Sequence, residues 1–205
     1  MFVRIITLFS FLFLFSATPS VIHAQPTAKA EESKSAEEGL AEIQSDTLKQ
    51  KMTSLMRTLT QEEINHFLVM YTNYNVYSMV KAVQEDISGA IDGCIKNNKN
   101  MEGDLTKRFD SWKKNVGTTM KEANANIQNL ALAQTYLSQD EVQGFFSLID
   151  EVRAHNSSRF ETTPVTTPEA CEFMISKMDE TEENMKQLLQ VALASYPNVL
   201  RKTQK

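Results

Sequence analysis

Apolar residues recur at intervals of three and four along most of this chain, and the same stretches lack proline. That spacing puts side chains on one face of an α-helix. A first helix is predicted from about Glu32 to Thr58, with Leu40, Ile43, Leu48, Met52, Leu55 and Met56 on its buried face. A second is predicted from Gln61 to Asn97, where Ile64, Phe67, Tyr71, Ser78, Ile91 and Cys94 share a stripe. A third, from Asp104 to Tyr136, carries a near-heptad seam through Leu105, Phe109, Trp112, Val116, Ile127 and Leu130, with a candidate kink at Gly117. The fourth is shorter, from Gln139 to His155, facing inward through Val142, Phe145, Phe146, Ile149 and Val152. The fifth is predicted from Pro168 to Tyr196, with Cys171, Met174, Met178 and Leu189 on one face and Pro197 ending it. No proline falls between Pro26 and Pro164, as long helices require, because an interior proline removes a hydrogen bond and crowds the preceding turn.

Two of the predicted helix starts repeat one pattern, "LTQEEINHFL" at 59–68 and "LSQDEVQGFF" at 137–146. Thr60 with Glu63, and Ser138 with Glu141, have the spacing of a capping box, in which hydroxyl and carboxylate each satisfy a free backbone amide. Leu59 and Leu137 stand where a hydrophobic staple would reach Ile64 and Val142. Thr167 before Pro168 is a third cap, with proline at the position where its missing N–H does no harm. The repeat therefore reads as one folding problem solved twice.

Short connections make neighbouring helices antiparallel. The predicted fold is all-α, an up-and-down antiparallel bundle of about five helices with one disulfide. In that arrangement Cys94, at the end of the second helix, and Cys171, in the first turn of the fifth, lie at the same end. The bridge would close a loop of 77 residues and stabilise the fold by about 4.5 kcal/mol on a chain-entropy model. The second helix would span about 54 Å and the fourth only about 26 Å. Residues 156–167, rich in threonine and proline, are read as a strap over what the fourth helix leaves uncovered.

The start of the chain departs from this pattern. Arg4 precedes an apolar run from Ile5 to Phe15, and a small-residue site ends at Ala24, as in a secretory signal peptide. The run is too short for a bilayer-spanning helix of ~20 residues, and no other run approaches that length. The expected organisation is a signal peptide over 1–24, a flexible segment over 25–34, the bundle over 35–197 and a basic tail over 198–205. A periplasmic or secreted location follows, and it suits a disulfide. Without Arg4 the chain holds 20 basic and 26 acidic residues, a net charge of −6, so it has no overall attraction for nucleic acid or anionic lipid.

Candidate chemistry is sparse. No nucleophile elbow, phosphate-cradling glycine loop or H-E-x-x-H motif is present, so no catalytic residue is assigned. Glu63 and His66 form E-x-x-H, but a carboxylate-bridged di-metal site needs a second copy, and none exists. His66 is read as a surface histidine beside a capping glutamate. Met52/Met56 and Met174/Met178 are read as core filling rather than copper ligands. No metal or other cofactor is expected. Asn156-Ser157-Ser158 matches the N-glycosylation pattern, which matters only in a eukaryotic host.

The segment "MYTNYNVYSM" at 70–79 is less ordinary. Tyr71 lies on the core stripe, whereas Met70, Tyr74 and Tyr77 project roughly opposite, making the helix apolar on two sides. Either another helix covers that side or it is a partner-binding surface, for which tyrosine and methionine are suited. The expectation is an exported, non-enzymatic interaction protein with a protein partner. The alternative is a carrier of a small apolar ligand within the bundle.

Overall fold

The computed structural model describes the backbone of residues 45–158 and 164–203. The expected signal peptide over 1–24, the expected flexible segment over 25–34, the start of the predicted first helix and the middle of the strap, 159–163, lie outside the described residues. Within them the chain is all-α, with five helices and no strand. Helix α1 covers 45–56. It is followed by α2 (Gln61–Asn97), a 3-10 turn (Lys99–Met101), α3 (Glu102–Ala133), α4 (Gln139–Ser158) and α5 (Pro168–Thr203). No described helix is long and apolar enough to cross a membrane.

The helix starts are set locally. The Glu63 amide donates to Thr60 Oγ1 at 3.3 Å, and the Thr60 amide donates to the Glu63 carboxylate at 2.8 Å. Ser138 and Glu141 repeat both bonds at 3.3 and 2.8 Å. The Ala170 amide donates to Thr167 Oγ1 at 3.3 Å.

Five boundaries differ from the sequence-based expectation, the first being the end of α1 at Met56 rather than Thr58. The 3-10 turn feeds straight into α3, which starts at Glu102 rather than Asp104. Its end comes at Ala133 rather than Tyr136, because Gln134 closes a turn with its side chain. Its carbonyl accepts from the Leu137 amide at 2.7 Å, and its amide group donates to the Leu137 carbonyl at 2.8 Å. Helix α4 continues past His155 to Ser158. Helix α5 runs through Pro197 to Thr203, so that proline forgoes one i to i−4 bond without ending the helix. Helix α3 is continuous across Gly117.

Two cores divide the interior. Phe67 and Met70 of α2 join Ile127 and Leu130 of α3, Leu48 of α1, and Val142, Phe145, Phe146 and Ile149 of α4. Farther along α2, Val80, Ile91 and Cys94 join Leu105, Trp112 and Val116 of α3 and Cys171, Met178 and Leu189 of α5. The first core is rich in aromatic rings; the second contains the disulfide. Long helices α2 and α3 contribute to both, while the 20-residue α4 contributes only to the first.

Side-chain pairs give the helix directions. Phe67 meets Phe145 and Ser78 meets Asp150, so α2 and α4 advance together. Arg108 reaches Asp179 and Asn115 reaches Glu182, so α3 and α5 also advance together. Cys94, near the end of α2, is bonded to Cys171, at the start of α5, with Cα atoms 5.9 Å apart. Around this bridge Asn98 is buried, and its side-chain amide donates to the carbonyls of Cys94 and Thr166. Gly93 admits the end of the strap: a Cβ there would lie 3.1 Å from the Val165 carbonyl oxygen.

Candidate functional site

The most connected polar network among the described residues lies on the seam between α2 and α4. On α4, Phe146, Asp150 and Arg153 stand at i, i+4 and i+7, one line along the helix. On α2, Tyr74 and Ser78 are one turn apart and face that line. The rings of Tyr74 and Phe146 stack in parallel, 3.8 Å between centroids and 4° between planes. The Tyr74 hydroxyl donates to Asp150 Oδ2 at 2.8 Å, and Ser78 Oγ donates to Asp150 Oδ1 at 2.5 Å. Arg153 donates from Nε to Ser78 Oγ at 3.0 Å, and from its terminal nitrogen to the carbonyl and side-chain oxygens of Asn75.

Every member of this network is committed. Each Asp150 oxygen holds a hydroxyl, and the opposite charges of Asp150 and Arg153 share Ser78. Burial pushes the Tyr74 pKa up from its usual value, and the bond to Asp150 adds to that shift, so its proton stays in place. Burial lowers the Arg153 pKa, opposed by the field of Asp150. Together these bonds fix the position of α4 on α2.

Of the three residues singled out by sequence, only Tyr74 belongs to this network. Met70 is buried at 1% exposure, inside the aromatic core. Tyr74 and Tyr77 are half-buried, their ring centroids 6.2 Å apart. Beyond them is a polar groove of about 240 Å³, lined by Ser78, Lys81, Glu85, Asp86, Asp150 and Arg153. On the other side of the aromatic core, a groove of about 580 Å³ separates α1 from the start of α4. Leu55, Leu137 and Phe145 line it, with Lys51, Asp140 and Glu141 at its edges.

His66 is not at the surface, contrary to the sequence reading. It is 4% exposed, with Nδ1 2.9 Å from the Tyr136 hydroxyl. The turn after α3 folds Tyr136 onto it, edge to face at 5.8 Å. Its Nε2 is buried and has no hydrogen-bond partner among the described residues. Burial lowers the His66 pKa, and it raises that of Tyr136 with help from Glu63. Glu63 itself is held by the backbone amide and hydroxyl of Thr60, which lower its pKa. The E-x-x-H pair thus has each member turned to a different task. Among the described residues, no group of three or more His, Cys, Asp or Glu side chains could hold a metal ion.

Sequence reasoning missed Phe146 and Asp150 as partners of Tyr74, Arg153 as the partner of Ser78 and Asn75, and Tyr136 as the partner of His66. The i, i+4, i+7 line of a ring and two opposite charges along the border of the apolar face of α4 was the available signal. Nothing local marks Tyr136, whose position depends on the turn made by Gln134.

Comparison of the chain with family models, with curated proteins and with solved structures finds no match.

Proposed function

We propose that this is an exported, non-enzymatic interaction protein, an envelope adaptor, inhibitor or chaperone-like binder, that meets a protein partner through the tyrosines of α2. The observation that carries this reading is the way Tyr74 is held. Its ring is clamped by Phe146 and its hydroxyl by Asp150, with Tyr77 half-buried beside it. Rings already fixed in place lose little side-chain freedom on binding, so more of the contact energy reaches affinity. Met70 supports the patch from beneath and does not touch the partner. The apolar leader over 1–24 supports export, to the periplasm or the medium.

The test is a photo-crosslinking residue at position 77, with a second at exposed Glu180 as control, in the native extracytoplasmic environment. A discrete adduct from position 77 alone is expected; excess wild-type protein should compete it away, and Tyr77→Ala protein should fail to. Adducts of equal yield from both positions would remove this reading.

A second reading, carriage of a small apolar ligand, is favoured by the groove between α1 and α4, whose volume of about 580 Å³ is in the range of small-molecule sites. Gly144 lines it, and a Cβ there would meet nothing within 4 Å. Titration with a fluorescent apolar probe tests it: Gly144→Leu should weaken binding severalfold, and an unchanged titration rules the groove out.

A further inference from the structure

We infer that acid opens the aromatic end of the molecule on its own: protonation of His66 releases the contact between the start of α2 and the α3–α4 turn while the disulfide end stays closed. This holds whatever binds at Tyr77.

The argument begins with donors and acceptors. Neutral His66 shares one hydrogen bond with Tyr136, in either tautomer. The imidazolium has N–H donors on both nitrogens and no acceptor capacity. Nδ1–H can turn to the Tyr136 oxygen, but Nε2–H then has no acceptor among the described residues. A charge that is 4% exposed and served by one hydroxyl is poorly compensated.

The groups facing His66 do not reverse this. From α2 they are Glu62 and Glu63, and from the turn Tyr136; Ala133, Gln134 and Thr135 complete the wall of a groove of about 260 Å³ and carry no charge. Glu63 is committed to Thr60, and Glu62 is exposed, so water screens its field. Tyr136 stays protonated, because burial and the Glu63 charge both oppose its ionisation.

The locality follows from the division of the core. His66 precedes Phe67, a member of the aromatic core, and Tyr136 packs against the same core. Opening there exposes Phe67 and Phe145, whereas the second core is closed covalently by Cys94 and Cys171. The other described histidine, His155, also has a buried Nε2 without a partner, but it lies in the last turn of α4, far along that helix from the turn that holds Tyr136. It is the competing source of any acid effect.

The experiment is hydrogen exchange with mass spectrometry on the oxidised full chain at about pH 7.5 and about pH 5.5, corrected for intrinsic exchange. Wild type is compared with His66→Gln and His155→Gln. In the wild type and His155→Gln, protection over 61–77 and 134–149 should fall roughly fivefold or more in acid. Segments 86–101 and 165–178 should keep theirs. In His66→Gln the acid effect should vanish. Equal loss at both ends, loss that persists in His66→Gln, or loss abolished by His155→Gln would each overturn the inference. An NMR titration of the wild-type His66 ring serves if His66→Gln does not fold. A midpoint below the ordinary histidine value of 6.5 is expected, and one at or above it overturns the inference.

Discussion

Asp150 has two oxygens and both are taken, which makes the consequences of changing it or its partners unequal. Tyr74→Phe keeps the stack on Phe146 and removes one hydrogen bond to a charged group, so a loss of about 1–2 kcal/mol is expected in urea unfolding. Asp150→Ala strips partners from two hydroxyls and leaves Arg153 without a compensating charge on a half-buried seam. A larger loss, about 2–4 kcal/mol, is expected in the same measurement. A Tyr74→Phe change as costly as Asp150→Ala would mean that the hydroxyl, and not the carboxylate, organises the seam. The sequence reading set Met70, Tyr74 and Tyr77 opposite the core stripe of α2, but Met70 is buried in the aromatic core and both tyrosines pack against it. What spacing along one helix does not supply is the covering residue, since Asp150 is 76 positions away.

Helices were readable where their signals are local. Thr60, Ser138 and Thr167 each act on an amide three residues on, within reach of a pattern read from sequence. Thr60→Ala and Ser138→Ala should each lower stability by about 1 kcal/mol. The end of α3 was harder, because a glutamine side chain closes it, and neither glycine nor proline marks the place. Pro197 misled in the other direction, as a strong breaker that the helix passes through. Two glycines show how packing decides a local preference. Gly144→Ala removes backbone freedom in open space and should raise stability by about 0.5–1 kcal/mol. Gly93→Ala has the same propensity gain but places a Cβ 3.1 Å from the Val165 carbonyl, so the strap must shift. A lower melting temperature is expected for Gly93→Ala and a higher one for Gly144→Ala.

For the molecule as a whole, three lowered pKa values give a staged response to acid. A histidine whose folded pKa is depressed binds its proton more readily in the unfolded chain. Its contribution is complete above the unfolded value of 6.5 and is lost as pH falls below it. Glu63 and Glu141 are held charged by the hydroxyls and amides of Thr60 and Ser138. Their contribution is complete above the unfolded value of 4.5 and is lost as pH falls through their lower folded values. Melting temperature measured against pH should therefore fall first below about 6.5 and again below about 4.5. His66→Gln should remove only the first fall. The all-α class was readable from periodicity, and the cysteine pairing from the count of two. The division into an aromatic core and a disulfide core was not, because it depends on how far α4 reaches along α2.

The bridge between Cys94 and Cys171 spans the α3–α4 turn, and this bears on how the chain survives proteolytic damage. A protease that cuts between Gln134 and Ser138 separates α4 and α5 from α2 and α3 in sequence. The second fragment carries Cys171 and the first carries Cys94, so the two remain covalently joined. Nicked protein should run as one band on a non-reducing gel and as two after reduction.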